Sequence, residues 1–265
     1  MTTRLNQSEV FEYWTRQAHE HGQSPSASWS DHRVIDLEIA EITKHLSDGD
    51  RVLDVGCANG YSSVQFAQAR RINLRGLDYI PKMIEQARDR LPAIESKLAG
   101  SVEFDVGDIT QLKEPSNAYD KVIVVRVLIN LGNWERQLCG LRECLRVLKP
   151  GGLLLLSEAT LQGWKRLNAF RAEWGLDDIP MPAFNQYVDQ DQVIAAVADE
   201  AKLAKLSDFA STYYVGTRVL KPLFCRAIKA NVDVADPTAE WNRWFAALPA
   251  AGDYGTQKLF ILKKL

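Results

Sequence analysis

Short apolar runs recur along the chain, each closed by an acid or a turn and followed by a stretch with apolar residues at helical spacing. The first, Val52-Leu53-Asp54-Val55, ends in Gly56-Cys57-Ala58-Asn59-Gly60 and leads into a helical pattern over 61–70. This order reads as buried strand, tight turn and helix, the place where α/β proteins hold nucleotide-like ligands. Further strands are predicted at 72–77, 102–106, 119–130, 153–158, 206–215 and 257–262. The run at 119–130 is continuous in β-branched residues, as a central parallel strand is. Ahead of the first strand the pattern predicts an amphipathic helix, a loop around 22–26, and a second helix over 31–45 capped by Asp31. Later helices open at Pro81, where proline suits a first turn, and cover 134–148, 164–174 and 190–201, with Trp241, Trp244 and Phe245 in one more helical pattern. Lys149-Pro150-Gly151-Gly152 stops the helix at 134–148.

A chain of 265 residues is long for one α/β domain and short for two, so one elaborated domain is expected. A net charge of -2 and a pI near 6.1 give no long-range pull toward nucleic acid or an anionic membrane. No apolar run approaches the ~20 residues of a membrane span, and Met1 to Gln7 lacks the apolar core of a signal peptide. A soluble, cytoplasmic protein is the expectation. Cys57, Cys139, Cys144 and Cys225 show no C-x-x-C spacing, so reduced thiols are expected. The histidines, His19, His21, His32 and His45, all precede the first strand and suggest no metal.

The glycine turn discriminates between ligands. Gly56 and Gly60 supply the positive φ that a strand needs to reverse into a helix, but their spacing is not the G-x-G-x-x-G of pyrophosphate sites. Asp54, two residues before the first glycine, would repel a pyrophosphate and attract a cation. A positively charged ligand is inferred. Asp78, about twenty residues beyond the turn, suits a ribose, because a carboxylate accepts hydrogen bonds from both adjacent hydroxyls. Asp108 closes the third strand, where an acid accepts from an adenine amino group or only caps a turn.

Asp54-Val55-Gly56-Cys57-Ala58-Asn59-Gly60, together with Leu-Lys-Pro-Gly-Gly at 148–152 and the strand after it, resembles the motifs of the class I S-adenosylmethionine-dependent methyltransferases. Ala58 stands where that family usually has glycine. The resemblance implies a Rossmann-like, doubly wound α/β fold with seven strands, the last antiparallel. It implies S-adenosyl-L-methionine as cofactor and S-adenosyl-L-homocysteine as product. By position it assigns the cofactor to Asp54, Gly56, Cys57, Ala58, Asn59 and Gly60, to Asp78, Tyr79 and Met83, to Gly107, Asp108 and Ile109, and to Arg126, Val127 and Asn130. Tyr13 and Trp14 belong to an N-terminal segment that commonly lies over the cofactor, the alternative being that Phe11 and Trp14 staple a helix to the domain. The expected layout is one domain over 1–265, with an N-terminal cap at 1–46, a cofactor core at 47–158, and helical insertions after the fifth and sixth strands, at 159–205 and 216–255, as acceptor caps. The second insertion reads equally as a homodimer surface.

Arg126-Val127-Leu128-Ile129-Asn130 occupies the position of the Asn/Asp-Pro-Pro-aromatic motif of nucleic-acid amino methyltransferases, which argues against nucleic acid as acceptor. A small-molecule acceptor is expected, methylated on oxygen or nitrogen: a sugar, a sugar nucleotide or a natural-product intermediate. His19, His21, His32 and Glu158 are candidate bases, and His21 and Glu158 are placed among the catalytic candidates. Arg126, placed among the catalytic candidates, is costly beside a sulfonium unless a carboxylate or an anionic substrate compensates it. With Arg171 and Arg218 it suggests an acceptor bearing phosphate or carboxylate, the rival being an internal pair with Asp108 or Glu158. Trp29, Trp164, Asn168, Arg171, Asn185, Tyr187, Tyr213, Tyr214 and Arg218 are the expected acceptor contacts. Asp54 argues against a nicotinamide oxidoreductase, and a non-catalytic S-adenosylmethionine-binding regulatory protein is the alternative reading.

Overall fold

The computed structural model describes residues 6–229 and 233–265. The first five residues, on which the reading of the N-terminus partly rests, and 230–232 of the second insertion lie outside the described residues. Seven strands, β1 (Arg51–Val55), β2 (Asn73–Asp78), β3 (Ser101–Val106), β4 (Tyr119–Val125), β5 (Leu148–Ala159), β6 (Ala201–Ser207) and β7 (Gln257–Lys264), form one sheet in the order β3-β2-β1-β4-β5-β7-β6. The pairs from β3 through β5 are parallel, and β7 runs antiparallel to both β5 and β6. Strand order reverses between β1 and β4, which opens a crevice beyond their carboxyl ends.

The period of two along each strand divides the core between the two faces. Val52, Ile123, Leu155 and Ile261 face a layer built from α2 (His32–Thr43), α3 (Tyr61–Ala69) and the buried tyrosines Tyr213 and Tyr214. Leu53, Val122, Leu154 and Phe260 face the opposite layer, which includes α5 (Trp134–Val147) and α7 (Gln190–Ala196). α1 (Gln7–His21) begins in a capping box between Asn6 and Glu9, and Asp31 caps α2 as its position suggested. α4 (Pro81–Arg90) follows β2, and α6 (Leu161–Glu173) follows β5.

Three predicted elements differ. The strand expected over 119–130 stops at Val125, because Arg126 adopts φ 55 and the chain then winds into a 3-10 turn at Leu128–Asn130. The helix expected over 190–201 is the shorter α7, since Ala201 already belongs to β6. The strand expected over 206–215 is β6, which ends at Ser207, and 211–227 is helical: α8 (Ser211–Val215), a π turn at Gly216–Leu220, and α9 (Lys221–Ala227). Thr212, Tyr213, Tyr214 and Val215 favour strand locally, but tertiary burial overrides propensity. Tyr213 and Tyr214 are buried against the sheet, and Gly216 lies so close to Phe245 of α10 (Glu240–Ala246) that a Cβ would sit 2.1 Å from the ring.

Buried polar bonds fasten the second insertion to the N-terminal cap. Tyr213 donates to Asp31 Oδ1 at 2.7 Å, Arg218 pairs with Asp31 Oδ2, and Asn242 Nδ2 donates to the Tyr213 oxygen at 2.7 Å. Lys221 Nζ then donates to Asn242 Oδ1 at 3.1 Å and to the Asp236 carbonyl at 2.7 Å. Replacing Arg218 by Met leaves Asp31 buried without its counter-charge. We expect a loss on the order of 3 kcal/mol, read as a lowered urea midpoint; a midpoint equal to wild type would show the pair to be dispensable.

Candidate active site

The crevice at the strand-order reversal is a cavity of about 600 Å³. Its floor is the turn from β1 into α3. Gly56 and Gly60 have φ of 80 and 73, and the N–H groups of Gly56 and Cys57 both donate to the Leu77 carbonyl, at 2.7 and 3.0 Å, which ties the turn to the end of β2. A Cβ at Gly56 would stand 2.1 Å from Val127, so the backbone there is open to close approach only as glycine. Ala58 holds a left-handed φ of 48, strain that a glycine would not carry. Its N–H donates to Asp78 Oδ2 at 2.9 Å, while Asp78 Oδ1 accepts from the Ile80 N–H at 2.9 Å.

Two buried acids lie under this turn without a cation. Asp54 accepts a 2.5 Å hydrogen bond from the Ser63 hydroxyl, and neither Asp54 nor Asp78 forms an ion pair among the described residues. Burial pushes the Asp54 carboxyl up to about 7, the Ser63 bond opposing and the nearby Asp78 adding repulsion. Burial likewise raises Asp78 to about 6 against the backbone N–H donors of Ile80, Ala58 and Tyr79. A cationic ligand would relieve both.

The methyltransferase-domain family is matched over residues 46–211. The chain belongs to the class I S-adenosylmethionine-dependent methyltransferases. It is 34% identical over 116 residues to a 27-O-demethylrifamycin SV methyltransferase of Amycolatopsis mediterranei (strain S699), covering 44% of this chain and 41% of that protein. It is 37% identical over 114 residues to the ubiquinone/menaquinone biosynthesis C-methyltransferase UbiE of Azotobacter vinelandii, covering 42% of each. The chain thus spans about two-fifths of the length of these relatives. Among solved structures, the fold is similar to magnesium protoporphyrin IX methyltransferase from Synechocystis PCC 6803 with bound SAH, at TM-score 0.58 and 17% identity over 97% of this chain and 95% of that one. It is similar also to the [4+2]-cyclase SpnF, at TM-score 0.55 and 22% identity over 85% and 79%.

The residues of this chain fit S-adenosylmethionine, the cofactor of the family. A glycine turn with no room for a side chain meets a paired-acid floor without an internal cation, which suits a ligand carrying positive charge and no phosphate. Asp54, Gly56, Cys57, Ala58, Asn59, Asp78, Tyr79, Met83, Gly107, Asp108, Ile109, Arg126, Val127 and Asn130 all line the cavity. Gly60 stands behind them, where a Cβ would meet Phe104 at 2.5 Å. Asn59 is buried and donates to the carbonyls of Gly22 and Ser24, at 2.8 and 2.7 Å, locking the N-terminal cap to the turn. Asp108 Oδ1 accepts from the Thr110 N–H and hydroxyl, both at 2.8 Å, so it caps a turn while facing the cavity. Tyr13 and Trp14 also line it, and both rings meet Phe184, Tyr13 stacked at 4.5 Å and Trp14 edge-on at 5.7 Å.

The catalytic and acceptor candidates divide. His21, Trp29, Asn185 and Tyr187 line the cavity with Arg126. The partner of Arg126 is neither Asp108 nor Glu158 but Glu38, a buried acid of α2 that also accepts from the Ser157 hydroxyl, while the Trp29 ring lies 5.1 Å from the guanidinium. Glu158 does not line the cavity. It is fully buried and accepts from the backbone N–H groups of Val127 and Leu128 at 2.9 and 2.7 Å, and burial pushes it up to about 8. Trp164, Asn168, Arg171, Tyr213, Tyr214 and Arg218 are likewise absent from the lining. Trp164 Nε1 and Asn168 Nδ2 donate to the Ile179 carbonyl at 2.8 and 3.1 Å, and Arg171 donates to the Asp177 and Arg218 carbonyls. They brace from behind the loop that brings Pro180, Pro182 and Phe184 to the cavity. Among the described residues of 216–255, none lines it.

Sequence reading missed Glu38, Arg136, Phe184 and Gln257. Of these, Glu38 left a signal: it falls with Val34, Ile35 and Ile42 on the buried face of an amphipathic helix, where an unpaired acid is rare. No helix among the described residues is long and apolar enough to cross a membrane, and no cluster of metal-ligating side chains occurs among them.

The raised Asp54 pKa fixes the sign of a stability effect. With a folded value of about 7 against an ordinary 3.8, the stabilising proton is held at low pH and lost as pH rises through 7. Asp54→Asn removes that loss, so its melting temperature relative to cofactor-free wild type is expected to rise between pH 5.5 and pH 8. A difference independent of pH would mean that Asp54 ionises normally.

Proposed function

We propose that this protein transfers the methyl group of S-adenosylmethionine to an oxygen or nitrogen nucleophile of a small molecule. The observation that carries the reading is the pair of buried, cation-free carboxylates, Asp54 and Asp78, at a glycine turn that opens into a cavity with further room beyond it. When bound, S-adenosylmethionine supplies a methyl group on a positively charged sulfur that the nucleophile displaces in line. The Asp78 carboxylate keeps acceptor capacity beyond its backbone donors, which supports its holding the ribose hydroxyls. Asp54 supplies the balancing negative charge beneath the turn. Asp108 keeps Oδ2 for the adenine amino group. The aromatic roof of Tyr13, Trp14 and Phe184 excludes water from the reacting centre.

Beyond the donor site, Trp29, Asn185 and Tyr187 form a second region that a purely donor-binding regulatory protein has no use for. His21 is the candidate base that faces the cavity, and it would take the proton when the nucleophile is a hydroxyl. Arg171 and Arg218 serve backbone carbonyls and Asp31, and Glu38 neutralises Arg126. The geometry therefore withdraws the support that these three arginines gave to an anionic acceptor.

Calorimetry tests the reading. S-adenosylmethionine and S-adenosylhomocysteine are expected to bind wild type, and NAD is not. Asp78→Ala should cost at least about 2 kcal/mol of binding through lost charge-assisted hydrogen bonds. Because the ionised acids are the binding form, with values of about 7 and 6, affinity should fall roughly twentyfold from pH 8 to pH 6, with proton release on binding. Failure of wild type to bind either sulfur ligand would refute the proposal.

A further inference from the structure

The second insertion carries an apolar face that the fold leaves uncovered. Helix α10 is seated by its inner side, where Asn242 is buried on Tyr213 and Lys221 and Phe245 closes on Gly216. Its outer side presents Trp241 and Trp244, with ring centres 6.2 Å apart, and Phe224 of α9 stacks on Trp241 at 5.5 Å. Leu248 and Ile228 continue the two rows, one helical turn beyond Trp244 and Phe224. Trp244 is 58% exposed and Ile228 69%. The chain then runs exposed through Ala247-Leu248-Pro249-Ala250-Ala251 without one polar side chain. Thr212 holds this run in place, its hydroxyl donating to the Pro249 carbonyl at 2.7 Å and accepting from the Ala251 N–H at 2.9 Å. Solvent asks for polar side chains in such a loop, and an exposed apolar run is retained where another surface covers it.

Charge and area identify the cover. The solvent-facing charges of 221–252 are Arg226, Lys229 and Arg243 against Asp233, Asp236 and Glu240, so the two signs balance. Most of them are already engaged. Glu240 pairs with Arg243 and accepts from Trp244 Nε1 at 3.1 Å, Asp236 accepts from the Thr238 hydroxyl at 2.7 Å, and Arg226 donates to the carbonyls of Trp174 and Gly175 at 3.0 and 3.1 Å. Glu173, next to Trp174, adds an acid. An anionic membrane or a nucleic acid is held by an excess of cations, and this face has none. A balanced face can instead meet its own copy about a two-fold axis without like-charge repulsion. The uncovered parts of Phe224, Ile228, Trp244, Leu248 and the alanine and proline run come to on the order of 500 Å², taking ~200 Å² for a whole aromatic side chain. A standard interface buries ~800 Å² on each partner, about three-fifths of it apolar. The face supplies that apolar share, and the charges around it supply a polar rim.

We propose that α9, α10 and the run at 247–251 form the interface of a homodimer, in which two copies pack Trp244 and its neighbours against each other about a two-fold axis. None of these residues lines the cavity, so the inference stands apart from the methyl-transfer reading.

Sedimentation velocity of the full chain tests it, from about 1 to about 100 μM, the weak end of the affinities that interfaces of this size reach. Wild type is expected at twice the chain mass of 29.8 kDa in the upper part of that range. Trp244→Glu and Leu248→Glu bring like charges together across the axis and should each weaken association at least about tenfold. Lys202→Glu, on the exposed edge strand β6, should leave it unchanged. Melting temperatures read at a dilution where wild type is monomeric should agree within about 2 °C, since both glutamates replace exposed side chains. Should either variant melt lower than that, Ile228→Glu takes its place, at a side chain that packs least against its own chain. A wild type that stays monomeric throughout overturns the proposal, as does a dimer that persists in the glutamate variants. A monomer that co-sediments with vesicles of phosphatidylcholine and phosphatidylserine overturns it too, and would assign the face to a membrane surface.

Discussion

The Asp78 carboxylate is the joint on which the active site depends. One oxygen holds the N–H of Ala58 in the glycine turn and the other holds the N–H of Ile80 at the start of the next helix. The ends of two adjacent parallel strands are thereby fixed to each other by a single side chain, and the turn keeps a conformation that costs Ala58 backbone strain. The same group is buried and raised in pKa, so the fold maintains an acid in a place where its ionisation opposes folding. Strain and desolvation together at one turn are the mark of a site shaped for a ligand rather than for stability alone.

Around this joint the structure uses buried polar bonds as fasteners between segments distant in sequence. Asn59 reaches the loop after α1, Asp31 gathers Tyr213 and Arg218, and Glu38 gathers Arg126 and Ser157. Each fastener joins α2 or its preceding loop to the parallel core or to the second insertion. The N-terminal segment is thus built into the molecule on two sides, by the turn beneath it and by the helices at 211–227 behind it. Glu38 has a second effect, since it lets an arginine stand at the end of β4 without presenting net charge to the cavity.

What the sequence made legible was local. The strand, turn and helix around Gly56 follow from an apolar run and two glycines within a few residues, and Asp31 and Pro81 announce helix starts through their own backbone chemistry. The strands of the parallel core appear for the same reason. The misread segment at 211–215 carries strand-favouring residues whose burial depends on Asp31 and Phe245, far away in sequence. The acceptor candidates that proved to be braces, Trp164, Asn168 and Arg171, were chosen because polar and aromatic groups near strand ends often meet ligands. A long loop has backbone carbonyls to satisfy, and these side chains spend themselves on that task. Gln257 was hidden for the opposite reason: in a strand buried continuously from Gln257 to Leu262, nothing nearby reveals that its amide nitrogen goes unpaired.

The place of β7 has a consequence for how the protein is made. Although last of the seven in sequence, β7 lies inside the sheet, between β5 and β6, and its first residue contributes a wall of the cavity. During synthesis on the ribosome, β6 therefore has no neighbour to pair with until residues 257–264 emerge. The nascent chain holds an open sheet edge at β5 over more than ninety residues of translation, from Ala159 to Gln257. Such an edge is a template for wrong pairing. The parallel half around the glycine turn is complete well before that point, so the floor of the cavity and its wall at Gln257 come into being at different times in the life of one polypeptide.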